Sequence, residues 1–142
     1  MDICVTESVT LCSVSANSIK EISYILSLFS DKGINIDMIS AVLPQGYKKS
    51  FSFSFADDDF TKAVEIIKQL KDENYNSLPA LSVGNTKIVI SGDMERKCGV
   101  ASEIISRINE FDVLMITTAL NEISVLTTKA DENHIIDRIK SL

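Results

Sequence analysis

The chain is short of the residues that most chemistry needs. It has three cysteines, Cys4, Cys12 and Cys98, with no Cys-x-x-Cys spacing. An odd, scattered set argues against a disulfide framework or a zinc cluster, and reads as a reduced, cytoplasmic protein. There is one histidine, His134. No nucleophile or metal partner stands at a matching spacing, so it reads as a surface residue and catalysis is not expected. Gly84, Gly92 and Gly99 do not spell a phosphate-binding loop. No apolar run approaches the ~20 residues of a membrane span. The opening "MDICVTESV" lacks a basic region followed by an apolar core, so no secretory signal is expected. Basic residues are also scarce: 14 against 20 acidic ones, for a net charge of −6. No basic stripe offsets this, since no basic run is longer than a pair such as Lys48 and Lys49, so a phosphate backbone would be repelled. The acidic run Asp57, Asp58 and Asp59 reads as helix capping, since a calcium loop needs spaced ligands and a distal Glu. Cys98, near a helix start, reads as an inert thiol. No cofactor and no metal are expected.

What is present is a patterned chain of 142 residues, 45% apolar and 24% charged, the balance of a globular protein. Residues 9–16 alternate as a strand. "SIKEISYILSLFSDKG" shifts to helical spacing, with Ile19, Ile22, Ile25, Leu26 and Phe29 in one stripe and Gly33 as its stop. "INIDMISAVL" is a second strand, with Ile34, Ile36 and Met38 expected to face the helices. "PQGY" is a turn, and "KSFSFSFA" is a strand with Phe51, Phe53 and Phe55 on one face. Residues 57–75 form a helix with its acids at the start, on a face marked by Phe60, Val64, Ile67 and Leu70. "LPALSV" closes the half as a strand. The order is βαββαβ.

The second half repeats it: strand 86–92, helix 98–111, strands 113–119 and 122–128, and a helix 131–142. That last helix is expected to be capped by Asp131 and to face inward with Ile135, Ile136, Ile139 and Leu142. Here the final strand is missing, while "DICVT" at residues 2–6 is a surplus strand at the other end, set off by a polar break at Glu7–Ser8. A lone exposed apolar strand is a liability. The two facts predict that residues 2–6 complete the sheet of the second half. The expected fold class is α+β, two ferredoxin-like units: residues 9–84, and residues 85–142 plus strand 2–6.

Gly33 to Ile39, "GINIDMI", resembles the Gly-Ile-Asn-Val-Asp-Met-Ile corner of the ACT domains in the aspartokinase regulatory region. Phe51 to Phe55 matches the strand that follows there. "KIVISGDMERKCGVASEII" resembles the second unit's strand and Pro-Gly-Val-Ala helix start, and "EISV" at residues 122–125 its Lys-Ile-Ser-Val. The likeness spans essentially the whole chain, and the family too has a leading strand that serves the second unit. Some family positions differ. Ile19–Lys20 stands for Pro-Gly, Cys98 for Pro and Ala41 for Gln, and "EFDVLM" replaces the second corner.

The resemblance implies a regulatory tandem ACT module that senses a small amino acid, lysine or threonine. The kinase's catalytic domain is absent from this stretch, so the chain is expected to be a free-standing regulator or a fragment of a larger enzyme. A homodimer and a biosynthetic enzyme are the expected partners, with no nucleic acid and no membrane. The effector's carboxylate is expected at the backbone N–H groups of the strand–helix turn, at Asn17, Ser18, Ile19 and Lys20. Asn35, Ile36, Asp37 and Ala41 are the remaining positions implied. The second unit is expected to lack the usual site. Two other classes stand beside this reading. One is a structural dimerisation module without ligand. The other is an RNA-binding domain of the same βαββαβ order, which would need the phenylalanines on an open sheet face.

Overall fold

The computed structural model describes residues 1–46, 48–94 and 98–142. Tyr47, the end of the expected turn, and Glu95, Arg96 and Lys97, within the stretch likened to the second helix start, lie outside the described residues. In chain order the elements are β1 (Asp2–Ala16), α1 (Ile19–Asp31), β2 (Ile39–Val42), β3 (Lys49–Ala56), α2 (Phe60–Asp72) and β4 (Ala80–Ser91). They are followed by α3 (Val100–Ile108), β5 (Val113–Ala119), β6 (Glu122–Thr128) and α4 (Glu132–Lys140).

The chain divides into a first unit, Val9–Val83, and a second unit, Met1–Ser8 with Gly84–Leu142. Within the first, the strand order is β2-β3-β1-β4; within the second it is β5-β6-β4-β1. Written by position in each βαββαβ unit, both read 2-3-1-4, the ferredoxin-like order. The N-terminal residues therefore supply the fourth strand of the second unit, which its own sequence lacks. The polar break expected at Glu7–Ser8 does not end a strand, and strands 78–83 and 86–92 are one. β1 and β4 are each continuous, and each has one left-handed residue at the unit boundary, Ser8 (φ 60°) and Gly84 (φ 71°).

β3 organises the first unit. It pairs antiparallel with β1 from Val9↔Ala56 to Ala16↔Lys49, and with β2 from Ile39↔Phe53 to Val42↔Ser50. Its period of two puts Phe51, Phe53 and Phe55 on one face, each at most 2% exposed. Phe29 of α1 meets Phe53 edge-on, with ring centroids 4.9 Å apart. Ile25, Ile66 and Leu70 complete this core. Such ring pairs add about 0.5–1.5 kcal/mol beyond area burial. Rings buried under helices offer no surface for stacked bases, which removes the RNA-binding reading. The opposite face carries a bond between the Ser13 and Ser52 hydroxyls at 2.9 Å.

Both helices of this unit end in the same way. The N–H of Gly33 (φ 75°) donates to the Ser30 carbonyl, and that of Ile34 to Phe29. After α2, the N–H of Asn74 (φ 62°) donates to Lys71, and that of Tyr75 to Leu70. These are Schellman closures, which turn the chain sharply and send the following apolar residue back to the core. Ile34 and Tyr75 go there.

Several sequence expectations shift by a turn or less. The second strand's ladder begins at Ile39, not Ile34. The N–H of Asp37 donates to the Ser54 carbonyl and that of Met38 to the Ser54 hydroxyl, so two residues face one, as in a β-bulge. The expected alternation survives this, with Ile34 and Met38 buried and Ile36 against the core. The buried face of α2 is Ala63, Ile66 and Leu70, about a third of a turn from the expected one, and Phe60 is exposed. Upstream, residues 57–59 form a separate 3₁₀ turn. There Asp59, at the N-cap of α2, makes no side-chain cap bond, and Asp57 accepts from the buried Thr10 hydroxyl at 2.6 Å. Ile19 is exposed because it occupies the first turn of α1, short of the core.

In the second unit β4 pairs with β6 from Asn85↔Thr128 to Ser91↔Glu122, and β6 with β5. The core is Ile88, Ile90, Ile104, Ile108, Val125 and Ile135 with their neighbours. Asp131 stands at the N-cap of α4, yet its carboxylate accepts the N–H of Asp112 at 2.9 Å instead of capping the helix. Leu142 lies past the end of α4 and is exposed, not inward.

Candidate functional site

The turn from β1 into α1 is built by Ser18. It is the N-cap, with extended backbone, and its hydroxyl accepts the N–H of Glu21 at 3.3 Å. The Glu21 carboxylate reaches back and accepts the N–H of Asn17 at 2.8 Å. This is a capping box displaced by one residue, a pattern written in the sequence as Ser18-x-x-Glu21. At the expected carboxylate position the protein has thus installed a carboxylate of its own.

Facing this turn in the same unit is the segment that leaves α2. The Schellman closure at Asn74 aims residues 73–77 toward it. A cavity of about 350 Å³ lies there. Ser15, Asn17, Glu21 and Lys48 line one part of it, and Glu73, Asn74, Tyr75, Asn76 and Ser77 the other. Across Glu21, Glu73 and Tyr75 lies a second, more open cavity of about 470 Å³, lined also by Ser18, Lys20 and Tyr24. Three residues therefore form a wall common to both.

The wall is anchored. The Tyr24 hydroxyl donates to Glu73, 2.7 Å from each carboxylate oxygen, and Gln69 donates to Glu73 at 3.0 Å. The Tyr24 and Tyr75 rings stack with centroids 6.1 Å apart. The hydrogen bond to Glu73 raises the pKa of the Tyr24 phenol above its ordinary value, with desolvation and the Glu73 charge adding to it. Tyr75 is raised as well, by desolvation first and then by the charges of Glu21 and Glu73. Both carboxylates are thus felt at Tyr75. A potential that opposes a phenolate favours a cation at the same place. The site can hold an ammonium between two carboxylates beside aromatic faces, with Lys48 available for an anion.

Of the residues expected from sequence, Asn17, Ser18 and Lys20 line these cavities. Ile19 points to solvent. Asn35, Ile36, Asp37 and Ala41 line neither cavity. Asn35 and Asp37 are exposed after the C-terminal end of α1, Ile36 packs against the core, and Ala41 is exposed on β2 opposite Phe51. The two expected groups stand at opposite ends of a helix of 13 residues, about 20 Å long at 1.5 Å per residue. One unit does not bring them together. Sequence reading passed over Glu21, Glu73, Lys48 and the Tyr24–Tyr75 pair. Only Glu21 had a local signal, the capping box; the rest meet through the fold.

No family model matches the chain, and no curated protein sequence does. Solved structures match it over nearly its whole length. The ligand-free regulatory subunit of aspartate kinase from Thermus thermophilus superposes with a TM-score of 0.85 at 15% identity, covering 98% of this chain and 95% of that one. A structure of aspartokinase alpha and beta subunits gives 0.84 at 21% identity, covering 99% and 96%. Escherichia coli aspartokinase III, in complex with lysine and aspartate in its T-state, gives 0.75 at 15% identity, covering 99% of this chain and 32% of that one. At these identities the likeness is one of fold: the chain has the fold of the aspartate kinase regulatory subunits.

Proposed function

We propose that the chain is a regulatory, non-catalytic tandem ACT module that binds an amino-acid effector in the first unit and controls an amino-acid biosynthetic enzyme of the aspartate kinase type. The observation that carries this reading is the charge inventory of the first cavity, with carboxylates of Glu21 and Glu73 and the ammonium of Lys48; the second cavity shares the two carboxylates and adds Lys20. Lysine has two ammonium groups and one carboxylate. Threonine has one of each. The first cavity's inventory complements lysine, with its carboxylate at Lys48 and Asn17 and its ammonium groups at Glu21 and Glu73. Lysine is also, with aspartate, a ligand in the E. coli aspartokinase III complex. Pre-anchored carboxylates lose little freedom when the cation arrives. Regulation then follows from differential affinity: lysine stabilises the arrangement that holds these groups together, and the linked enzyme is shifted by that same free energy.

A thermal-shift and calorimetric comparison of lysine, threonine and the other amino acids tests this. Lysine at 100 times its dissociation constant should add ~2.7 kcal/mol of stability. A flat response to every amino acid at millimolar concentration would refute the effector site.

One observation favours a second reading, a dimerisation module without ligand. β2 ends the first unit's strand order, and Ile39 and Val42 on it are 50% and 65% exposed. An apolar edge strand invites pairing with a second copy. Under that reading sedimentation shows a dimer whose stability no amino acid changes.

A further inference from the structure

The second unit contains a cavity of different chemistry. It lies beside the packed helices α3 and α4, with a volume of about 390 Å³. Its floor is Ile104 and Ile139, both core residues, and its sides are Ile3 and Val100, which pack on that core. Met1 and Leu142 extend the apolar lining. The Met1 side chain rests against Gly92, where an added Cβ would stand 3.2 Å from its Cγ.

The charged groups of the lining are all on exposed residues, and they do not balance. Glu103 is already engaged: Arg107 holds its carboxylate at 3.3 Å, and a second nitrogen of that guanidinium donates to Ser141 at 2.9 Å. Lys140 has no ion pair among the described residues. Met1 adds an α-ammonium and Leu142 an α-carboxylate. With Arg107 included, three cationic groups stand against two carboxylates.

An aliphatic floor under a rim of net positive charge complements an aliphatic anion. Pockets of about 300 Å³ and above hold small ligands through apolar walls and a few placed polar groups. A hydrocarbon tail over Ile104 and Ile139 replaces water on apolar surface. Its carboxylate stays at the exposed Lys140, so no charge is buried. A cationic head is disfavoured, because Lys140 and Met1 repel it and Glu103 would have to give up Arg107. A zwitterionic head gains nothing from its ammonium for the same reason. We propose that the second unit binds a saturated monocarboxylate with a short alkyl chain, of the size of hexanoate, at this slot, with its carboxylate on Lys140. The site lies wholly within the second unit and does not depend on the reading given to the first unit's cavity.

The test uses the full chain labelled at the isoleucine methyl groups and titrated with sodium hexanoate. Saturable shifts of the Ile3, Ile104 and Ile139 methyls are expected, with a midpoint near or below about 1 mM. The Ile25 and Ile66 methyls of the first core should stay unmoved. From butanoate to hexanoate, affinity should rise by up to about fourfold per methylene, the value for a fully buried CH₂ group. Hexylammonium should bind at least about tenfold more weakly than hexanoate. Lys140→Glu, an exposed change that leaves the fold intact, should weaken hexanoate by about fivefold or more, and Lys140→Arg should retain it. The proposal is overturned if hexanoate moves these methyls only without saturation, or only together with those of the first core. It is equally overturned if butanoate or hexylammonium binds as tightly as hexanoate, or if Lys140→Glu leaves the affinity unchanged.

Discussion

The Glu21 carboxylate accepts the backbone N–H of Asn17 at 2.8 Å, four residues earlier in the chain, and the same carboxylate lines both first-unit cavities. One side chain thus serves as a helix cap and as an anion in the candidate site. The two roles separate by substitution. Glu21→Gln keeps an oxygen acceptor and should change stability by no more than ~0.5 kcal/mol, while lysine affinity falls at least about tenfold. Ser18→Ala removes the cap itself and should cost about 0.5–2 kcal/mol. Chemical denaturation with calorimetry reads both; lysine affinity unaffected by Glu21→Gln would place the effector elsewhere.

Phe53 is wholly buried between Phe51, Phe55 and Phe29. Phe53→Ala should destabilise by about 3–5 kcal/mol, transfer and cavity costs together. Equilibrium unfolding in urea measures it. A cost under 1 kcal/mol would contradict the packing described.

Cys12 is buried in the first core, while Cys4 and Cys98 are exposed. Burial pushes the Cys12 thiol up to about 12 from its ordinary 9.0. A thiol reagent on the native protein should therefore modify Cys4 and Cys98 quickly and Cys12 only on unfolding. The sign of the pH effect follows. Below pH 9 the thiol is neutral in both states and costs nothing. From pH 9 toward 12 the unfolded thiol ionises and the folded one does not, so stability falls with rising pH. Cys12→Ala should flatten that part of the profile.

Thr86 is buried, and its hydroxyl donates to the Glu132 carboxylate at 2.9 Å, with Glu132 itself 8% exposed. Thr86→Val keeps the shape and removes the donor, leaving an acceptor underserved. A loss of about 1–3 kcal/mol is expected at neutral pH. Thermal denaturation at matched ionic strength would show it, and an unchanged midpoint would mean that the carboxylate finds another donor.

Residues 1–8 belong to the second unit and carry its fourth strand. Deleting residues 1–7 should loosen the second unit while the first unit keeps its amide protection. Hydrogen exchange resolves the two. Full protection of β4, β5 and β6 residues in the truncated chain would show that the strand is dispensable.

Much of this was legible in residues alone. The alternation of Phe51, Phe53 and Phe55, the stop at Gly33 and the surplus strand before Val9 are local or count-based signals, and each finds its place. Boundaries were read less well. Continuous β1 and β4 look broken in sequence, because Ser8 and Gly84 are turn-type residues that here only carry a strand across a unit boundary through a positive φ. α2 carries apolar residues at Phe60, Ala63, Val64, Ile66, Ile67 and Leu70, and only packing selected Ala63, Ile66 and Leu70 as the buried face.

The site divides along the same line. The sequence by itself determined the βαββαβ order, the buried face of β3 and the stop at Gly33, since these depend on the period of the backbone and on neighbours a few positions away. Only the tertiary structure decided which charges share a cavity. Glu21 and Glu73 stand 52 positions apart in the chain, on two elements whose own patterns say nothing of each other. They meet because two helix ends, one capped and one closed by Asn74 in the left-handed conformation, are carried on the same sheet. The same packing set Asn35 and Asp37 at the far end of α1 from Asn17, a separation that rigid helical geometry imposes and that no motif reveals.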